Sequence, residues 1–427
     1  LLYDLYRPDG SVDENVFAYS NGAGGERALV LYNNAYERAA GTLHRSCPFA
    51  RKEPDGRKTR VVMDLASGLG LSGLPGRFLA MREQRSGLWF LRRSADVAER
   101  GLVVMLDGFQ SQAFLDIHEL ADDELGAWAK LCDQLGGSGV PDLSAALQDV
   151  VLDRLYASWN AAFGPAYLRT VLDAFAPPDA APKTSAAGKA GKKAVALGPD
   201  LDAVSAFARD SGAFMAELAG RSATDTGRAE RALELATGAS ATLAGLASAG
   251  TSKPGSLLAA RLRSGAVPAA AALGALSILP GLLSEDADWT DARALADAWG
   301  LDRKLREAMQ AAGVHGDSAW LCSALATAAL GSLEGLKAAG LAGLAEAVLS
   351  QEEASRLLGV NIWDGSRWFN AERFALAAPV ALAVAVLSGH LSLKQADSAL
   401  RALERAASES GWNLDSFLSL LKETDAP

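Results

Sequence analysis

Short stretches of alternating apolar and polar residues fill the first part of the chain, and this alternation is typical of strands with one buried face. Residues 16–20 and 28–32 are two such stretches, and the glycine-rich segment between them predicts a hairpin. Residues 78–81 and 88–91 predict a second hairpin in the same way. Several short strands separated by turn residues predict an antiparallel β-sandwich over residues 1–120.

The dipeptide Asp107-Gly108 predicts a third hairpin. Asp-Gly favours a type I′ turn, because both central residues of that turn have positive φ. The turn would join residues 102–106 to residues 109–117. The second of these strands would have one largely apolar face, made of Phe109, Ser111, Ala113, Leu115 and Ile117.

The period of apolar positions lengthens to about 3.6 residues in residues 121–176, which predicts a helical region. Asp122 and Asp142 precede its first two helical stretches, where their side chains can accept hydrogen bonds from unpaired backbone N–H groups. Residues 177–198 contain mainly Pro, Ala, Gly and Lys and predict a flexible linker. Residues 199–427 are rich in Ala and Leu and predict an α-helical domain. The predicted fold class is therefore α+β multidomain, with an N-terminal antiparallel β-sandwich followed by a mainly α-helical domain.

Composition and charge narrow the class of protein. Hydrophobic residues make up 49% and charged residues 22% of the chain, so a generally disordered protein is excluded. The formal net charge is −10, and the chain thus lacks the basic surface that nucleic acids or anionic membranes require. Cys47, Cys132 and Cys322 lie far apart in the sequence and predict neither a disulfide framework nor a zinc site. We expect a cytoplasmic protein with no nucleic-acid and no membrane partner.

Common catalytic motifs do not occur in the sequence. It contains no GxSxG nucleophile elbow and no GxxxxGK[ST] phosphate-binding loop. His118-Glu119 is not followed by the second histidine of an HExxH zinc motif. We therefore expect no catalytic residue, no metal ligand and no bound cofactor in this chain.

Trp363 and Trp368 are the candidate binding residues. They flank a four-residue stretch that precedes a helix for which Asn370 is the predicted N-cap. The face of an indole ring can stack on the C–H groups of a sugar, so the pair is a candidate carbohydrate contact. The alternative is that both rings anchor this loop to the helical core, because large aromatic side chains dominate core burial.

Two stretches resemble a known family. The first, LYDLY with PDGSVDENVFAYSN and ERALV (residues 2–6, 8–21 and 26–30), resembles the segment that follows the catalytic barrel in a group of bacterial alpha-amylase-family proteins. That family is glycoside hydrolase family 13. The second stretch, residues 358–374 with LGVN, Gly365, WFN and ERF, resembles the far C-terminal region of the same group.

The resemblance implies a (β/α)₈ barrel with an aspartate nucleophile, a glutamate acid/base and a further aspartate, packed against a C-terminal antiparallel β-domain. Eight alternating βα units are absent from this sequence and no histidine is followed by aspartate, so no catalytic residue of the family can be assigned to any position. Because the chain opens on Leu1 rather than Met, we expect the barrel to belong to a part that precedes it. The implied function is the accessory C-terminal part of an alpha-amylase-like glycoside hydrolase acting on alpha-glucans, with the missing barrel as its partner.

Two alternatives stay open. The chain could be a non-catalytic helical interaction scaffold whose β-domain is a structural cap, or a carbohydrate-binding module that uses Trp363 and Trp368 on alpha-glucan. The accessory hypothesis predicts an exposed apolar patch on the β-domain, where the barrel would dock. The sequence leaves the oligomeric state open.

Overall fold

The computed structural model describes residues 1–176, 197–219, 227–250, 253–283, 289–350 and 352–424. The chain divides into two compact units, Leu1–Asp153 and Arg154–Pro427. The first unit contains an antiparallel sheet with helices, and the second is mainly helical, so the predicted α+β class is confirmed. Most of the predicted linker at residues 177–198 lies outside the described residues.

One antiparallel sheet of eight strands organises the first unit. Its strands are β1 (Leu2–Tyr6), β2 (Val16–Ala23), β3 (Glu26–Asn33), β4 (Ala39–Ser46), β7 (Arg77–Glu83), β8 (Trp89–Arg93), β9 (Leu102–Leu106) and β10 (Ser111–Ala121). The order across the sheet is β8-β7-β10-β3-β2-β1-β4-β9. A separate two-stranded hairpin is formed by β5 (Phe49–Lys52) and β6 (Lys58–Val61).

The sheet curls around a core on its inner face. Where the sequence predicted a sandwich, the structure has one continuous sheet, because each strand is hydrogen-bonded to the next across the whole order. Leu5, Leu31, Leu43 and Leu79 belong to one buried cluster although their strands are spread over the sheet. Alternate residues of β1, β2, β4 and β9 point into this cluster, as the period-two pattern requires.

Two of the three predicted hairpins are confirmed, and the third is wrong. β2 pairs with β3 and β7 pairs with β8, but β9 pairs with β4 and β10 pairs with β3 and β7. The Asp107 carbonyl accepts hydrogen bonds from Asn33 Nδ2 (3.0 Å) and from the Gln110 backbone N–H (3.1 Å), so the segment crosses to another strand. The positive φ occurs at Phe109 (55°) instead of at the Asp-Gly pair that a type I′ turn needs.

The prediction that one face of β10 is apolar along its whole length is also wrong, because a β-bulge interrupts the strand. The register with β7 shifts between Leu115 and His118, and Asp116 has a positive φ of 52°. The bulge moves the alternation by one residue, so that Phe114 and Ile117 are both buried in the core.

Four helices lie within the first unit: α1 (Leu65–Leu69), α2 (Ser94–Arg100), α3 (Ala127–Leu135) and α4 (Leu143–Val151). The Asp142 cap is confirmed, since its carboxylate accepts hydrogen bonds from the Ser144 and Ala145 backbone N–H groups at 2.8 and 3.1 Å. Asp122 lies outside the helix but accepts a hydrogen bond from the Trp128 N–H at 3.0 Å. α3 and α4 pack over the outer side of β7 and β8.

In its described residues, the second unit consists of helices and one small hairpin. The helices are α5 (Asp153–Phe163), α6 (Pro165–Phe175), α7 (Leu201–Leu218), α8 (Gly227–Ala247), α9 (Ser256–Arg261), α10 (Val267–Leu276), α11 (Leu279–Leu283), α12 (Trp289–Ala298), α13 (Leu301–Ala311), α14 (Gly316–Leu330), α15 (Leu333–Ser350), α16 (Glu352–Leu357), α17 (Ala371–Leu387), α18 (Leu393–Glu409) and α19 (Leu414–Thr424). The hairpin of β11 (Asn361–Trp363) and β12 (Ser366–Trp368) lies between α16 and α17. α10 and the greater parts of α14 and α17 are buried on all sides, which explains their lack of a polar face.

Among the described residues, the stretch Ser256–Leu283 is long and apolar enough to cross a membrane, and 94% of its apolar window is buried inside the protein. The pair Gly316–Leu330 and Leu333–Leu349 meets the same criteria only when joined, with a bend of 93° between its halves.

Candidate functional site

The outer side of the sheet exposes a group of large apolar side chains on β1, β2, β3 and β9. Phe17 is 55% exposed and Val103 is 74% exposed, although both belong to well-paired strands. Monomeric proteins rarely leave contiguous apolar patches of this kind uncovered without a functional reason. We call this surface the bare face, and it consists of Leu2, Tyr6, Phe17, Tyr19, Tyr32, Val103 and Met105.

Strand register makes the bare face continuous. Phe17 lies directly opposite Tyr32, and Leu2 lies opposite Tyr19, so four of its side chains are cross-strand neighbours. Tyr6 extends the surface towards β4, where Thr42 pairs with both Tyr6 and Val103. The apolar side chains therefore run across the sheet from β3 to the edge strand β9.

Charge is scarce on the central part of the bare face. The outward position between Leu2 and Tyr6 on β1 is Asp4, whose carboxylate accepts a hydrogen bond from the Cys47 thiol at 3.3 Å. A surface that is rich in aromatic residues and poor in charge has the composition found in the cores of protein–protein interfaces. The composition of this surface is therefore that of a binding face.

The same sheet is covered elsewhere on its outer side. Phe78 and Ala80 of β7 point away from the inner core and are nonetheless buried, because they form a second apolar cluster with Leu131 of α3 and Leu143 of α4. β7 is therefore apolar on both faces. The bare face corresponds to the part of the outer surface over which the first unit supplies no helix.

The predicted pair Trp363 and Trp368 lies on the β11–β12 hairpin, and the structure brings the two rings together. Their centroids are 6.5 Å apart and their planes are inclined by 61°. The Trp368 Nε1–H donates to the Trp363 carbonyl at 3.4 Å. Trp363 is 71% exposed, so it does not anchor the loop to the helical core as the alternative interpretation required.

A different residue supplies that anchor. Phe369, directly after the hairpin, is buried against Phe374, Trp412 and Phe417, with ring centroids 5.2 to 5.7 Å apart. The Asn370 cap predicted for the following helix is confirmed, because its side chain accepts the Arg373 N–H at 3.0 Å. The two tryptophans are thus held near the core without being part of it.

A polar cluster surrounds the bulge of β10, but its groups are already paired. Arg82 Nε donates to the Asp116 carboxylate at 2.7 Å, and His118 Nδ1 lies 2.7 Å from the Asp116 carbonyl oxygen. The His118 ring packs edge-on against Trp89 at 5.8 Å. Because Arg82 pairs with Asp116 across two neighbouring strands, this ion pair stabilises the bulge.

The thiols are poor nucleophiles. Burial raises the pKa of Cys322 to about 11, and burial also raises the pKa values of Cys47 and Cys132. A raised pKa keeps a thiol protonated at neutral pH, and the thiolate is the reactive form. Within the described ranges, no three or more His, Cys, Asp or Glu side chains converge in a way that could hold a metal ion.

The sequence reasoning predicted an exposed apolar patch on the β-domain but did not name its residues. Phe17, Tyr19 and Tyr32 occupy the outward positions of strands that were correctly placed, and an aromatic residue at an outward position was the available signal. Comparison with protein-family models, curated proteins and solved structures finds no match to the chain.

Proposed function

We propose that this chain is the non-catalytic C-terminal accessory part of an alpha-amylase-like glycoside hydrolase that acts on alpha-glucans. In this proposal the bare face docks against the catalytic (β/α)₈ barrel that precedes the chain. The observation that carries the proposal is the continuous apolar surface on β1, β2, β3 and β9, which is the patch that the accessory hypothesis requires. The family assignment itself is supported by the resemblance of residues 2–30 and 358–374.

The chemistry of the bare face suits a permanent interface with another folded domain. Phe17, Tyr19 and Tyr32 are about half exposed, and removal of the rest of each ring from water would contribute roughly 2 kcal/mol. Aromatic residues at the centre of an interface commonly carry much of the binding energy. The curled sheet would then be the counterpart of the family's C-terminal β-domain, and its role is to brace the barrel.

A helical interaction scaffold is the competing function. It would use the same bare face, or the surface of the helical unit, to bind a protein that is not a glycosidase. The two proposals differ in what precedes Leu1 in the gene, and this difference can be measured without any assumption about the interface.

Sequencing of the coding DNA upstream of Leu1 tests the proposal. We expect an in-frame extension of several hundred residues with alternating β and α patterns and a catalytic Asp/Glu/Asp set. A start codon immediately upstream would contradict the proposal, and the scaffold function would take its place.

A further inference from the structure

The β11–β12 hairpin has two faces of different composition. Cross-strand partners in a two-stranded ladder share a face, and so do residues two positions apart on one strand. Asn361 pairs with Trp368, and Trp363 pairs with Ser366, so these four residues lie on one face of the hairpin. Ile362 and Arg367 lie on the other.

The hairpin is held in a fixed shape. Asp364 and Gly365 both have positive φ, 50° and 71°, as the two central residues of a type I′ turn require. Arg367 on the opposite face forms an ion pair with Asp415 of α19. Trp368 also forms a bridge to Asn413, at the start of α19. These contacts fix the hairpin backbone and Trp368 before any ligand arrives, and the Trp363 ring lies against Trp368, so less ordering remains to be done on binding.

The open concavity at the hairpin is lined by Asn361, Trp363 and Trp368 of this face together with Ile362 from the other, and none of these residues is charged. Among the described residues, the Trp363 indole N–H and the Asn361 side-chain amide have no hydrogen-bond partner. The site therefore combines two aromatic faces with free hydrogen-bonding groups at their side. A pyranose ring has the matching chemistry, since its C–H faces are apolar and its rim carries hydroxyl groups.

We propose that this face of the β11–β12 hairpin binds a neutral oligosaccharide, with one sugar ring on Trp363 and a neighbouring ring on Trp368. The lack of charge in the lining favours a neutral ligand over a phosphate or an ammonium group. The 61° inclination of the two indole planes favours a curved chain, because a flat ribbon such as β-1,4-glucan cannot stack one face on both rings. An α-1,4-linked glucan, whose successive rings turn relative to one another, fits this arrangement.

Isothermal titration of the isolated chain with maltoheptaose, cellohexaose and tetramethylammonium tests this inference. We expect maltoheptaose to bind at least tenfold more tightly than either of the other two. Absence of maltoheptaose binding at millimolar concentration, or tighter binding of cellohexaose or of the ammonium ion, would overturn it.

Single substitutions assign the binding to the hairpin. We expect Trp363→Ala to weaken maltoheptaose binding at least tenfold and Trp363→Phe to retain part of it, because phenylalanine keeps an aromatic face. Trp320→Ala is the matched control, since Trp320 is an exposed tryptophan on α14 of the same unit (45% exposed). Equal affinities of the wild type and Trp363→Ala would overturn the inference, and circular dichroism verifies that each variant is folded. The result does not depend on what precedes Leu1, so it can stand or fall separately from the proposed function.

Discussion

In both halves of the eight-stranded sheet, side chains alternate between the inner and the outer face. The outward side chains are buried in one half and exposed in the other. On β7, the outward Phe78 is 1% exposed beneath α3 and α4, whereas on β2 the outward Phe17 is 55% exposed. Both phenylalanines lie on strands that have a neighbour on each side. The difference in their exposure therefore comes from the covering helices α3 and α4 and not from the strands. The first unit buries one half of its outer surface itself and leaves the other half exposed.

The alternation alone could not have shown which half is covered. An apolar outward residue on a strand is compatible with a helix from the same chain or with a partner, and only the tertiary structure decides between them. Substitutions in the covered half and in the bare half should therefore differ in their effect on the stability of the chain.

The largest effect is expected from Phe78→Ala in the covered half. Truncation of this fully buried ring leaves a cavity between the sheet and α3, so the free energy of unfolding should fall by about 3–5 kcal/mol. Phe17→Ala on the bare face should change it by less than about 1 kcal/mol, because the ring is already half exposed. Urea unfolding followed by circular dichroism measures both. Similar losses of unfolding free energy for the two variants would show that Phe17 stabilises this chain as much as a buried phenylalanine does.

Asn33→Ala tests whether the bare half is held together by its own hydrogen bonds. Asn33 is fully buried, and its Nδ2 donates to the carbonyl oxygens of Glu37 (2.8 Å) and Asp107 (3.0 Å). Its loss leaves both acceptors without this donor, so we expect a cost of about 1–3 kcal/mol in unfolding free energy. The neighbouring exposed residue gives the control, Asn34→Ala, which should cost less than about 0.5 kcal/mol. An equal effect of the two substitutions would refute this role.

Asp142→Ala should destabilise α4, one of the two helices that cover the outer side of β7 and β8. Asp142 caps α4, and loss of an N-cap costs about 1 kcal/mol. Hydrogen exchange should then become faster for the α4 amides than for those of β2 and β3. Asp142→Asn keeps a capping oxygen and should restore most of the protection. If the alanine variant exchanges as slowly as the wild type, the cap does not stabilise the cover.

The smallest effect concerns pH and Glu83, at the end of β7. Burial would raise the pKa of this carboxyl, but hydrogen bonds from Ser86 and Arg85 outweigh burial and lower it. A lowered folded-state pKa stabilises the protein above the unfolded value of about 4.3, and the contribution is lost as the pH falls through the folded-state pKa. We expect the stability advantage of the wild type over Glu83→Gln at pH 7 to shrink below pH 4. A constant difference between pH 7 and pH 3 would contradict this.

The local parts of the fold could be predicted, and the long-range parts could not. The β2–β3 and β7–β8 hairpins follow from alternation and a short turn, and Asp142 and Asn370 act as caps as their positions suggested. The partner of β9 could not be predicted, because β9 pairs with β4, which lies far from it in the sequence, and no short-range pattern indicates such a pairing. The bulge at Asp116 follows from one positive φ that a period-two pattern does not show.

For the candidate site, the sequence placed Trp363 and Trp368 in one loop but could not decide between a core anchor and an exposed pair. The answer depended on Phe369, which takes the buried position between α17 and α19 and leaves Trp363 exposed and Trp368 half-buried. Similarly, the sequence predicted an exposed apolar patch on the β-domain. Its residues, those of the bare face, could be named only from the structure, because they depend on which strands α3 and α4 cover.

The central claim is that the bare face binds the catalytic barrel. The most direct test is a titration of the barrel domain that the proposal places upstream of Leu1, produced separately, with the wild-type chain and with Phe17→Glu. We predict that the wild type binds and that Phe17→Glu binds at least tenfold more weakly, because a carboxylate would lie at the centre of an apolar interface. Leu74→Glu, at an exposed loop residue outside the bare face, should bind as the wild type does. Equal binding of the Phe17→Glu variant and the wild type, or no binding by either, would contradict the account.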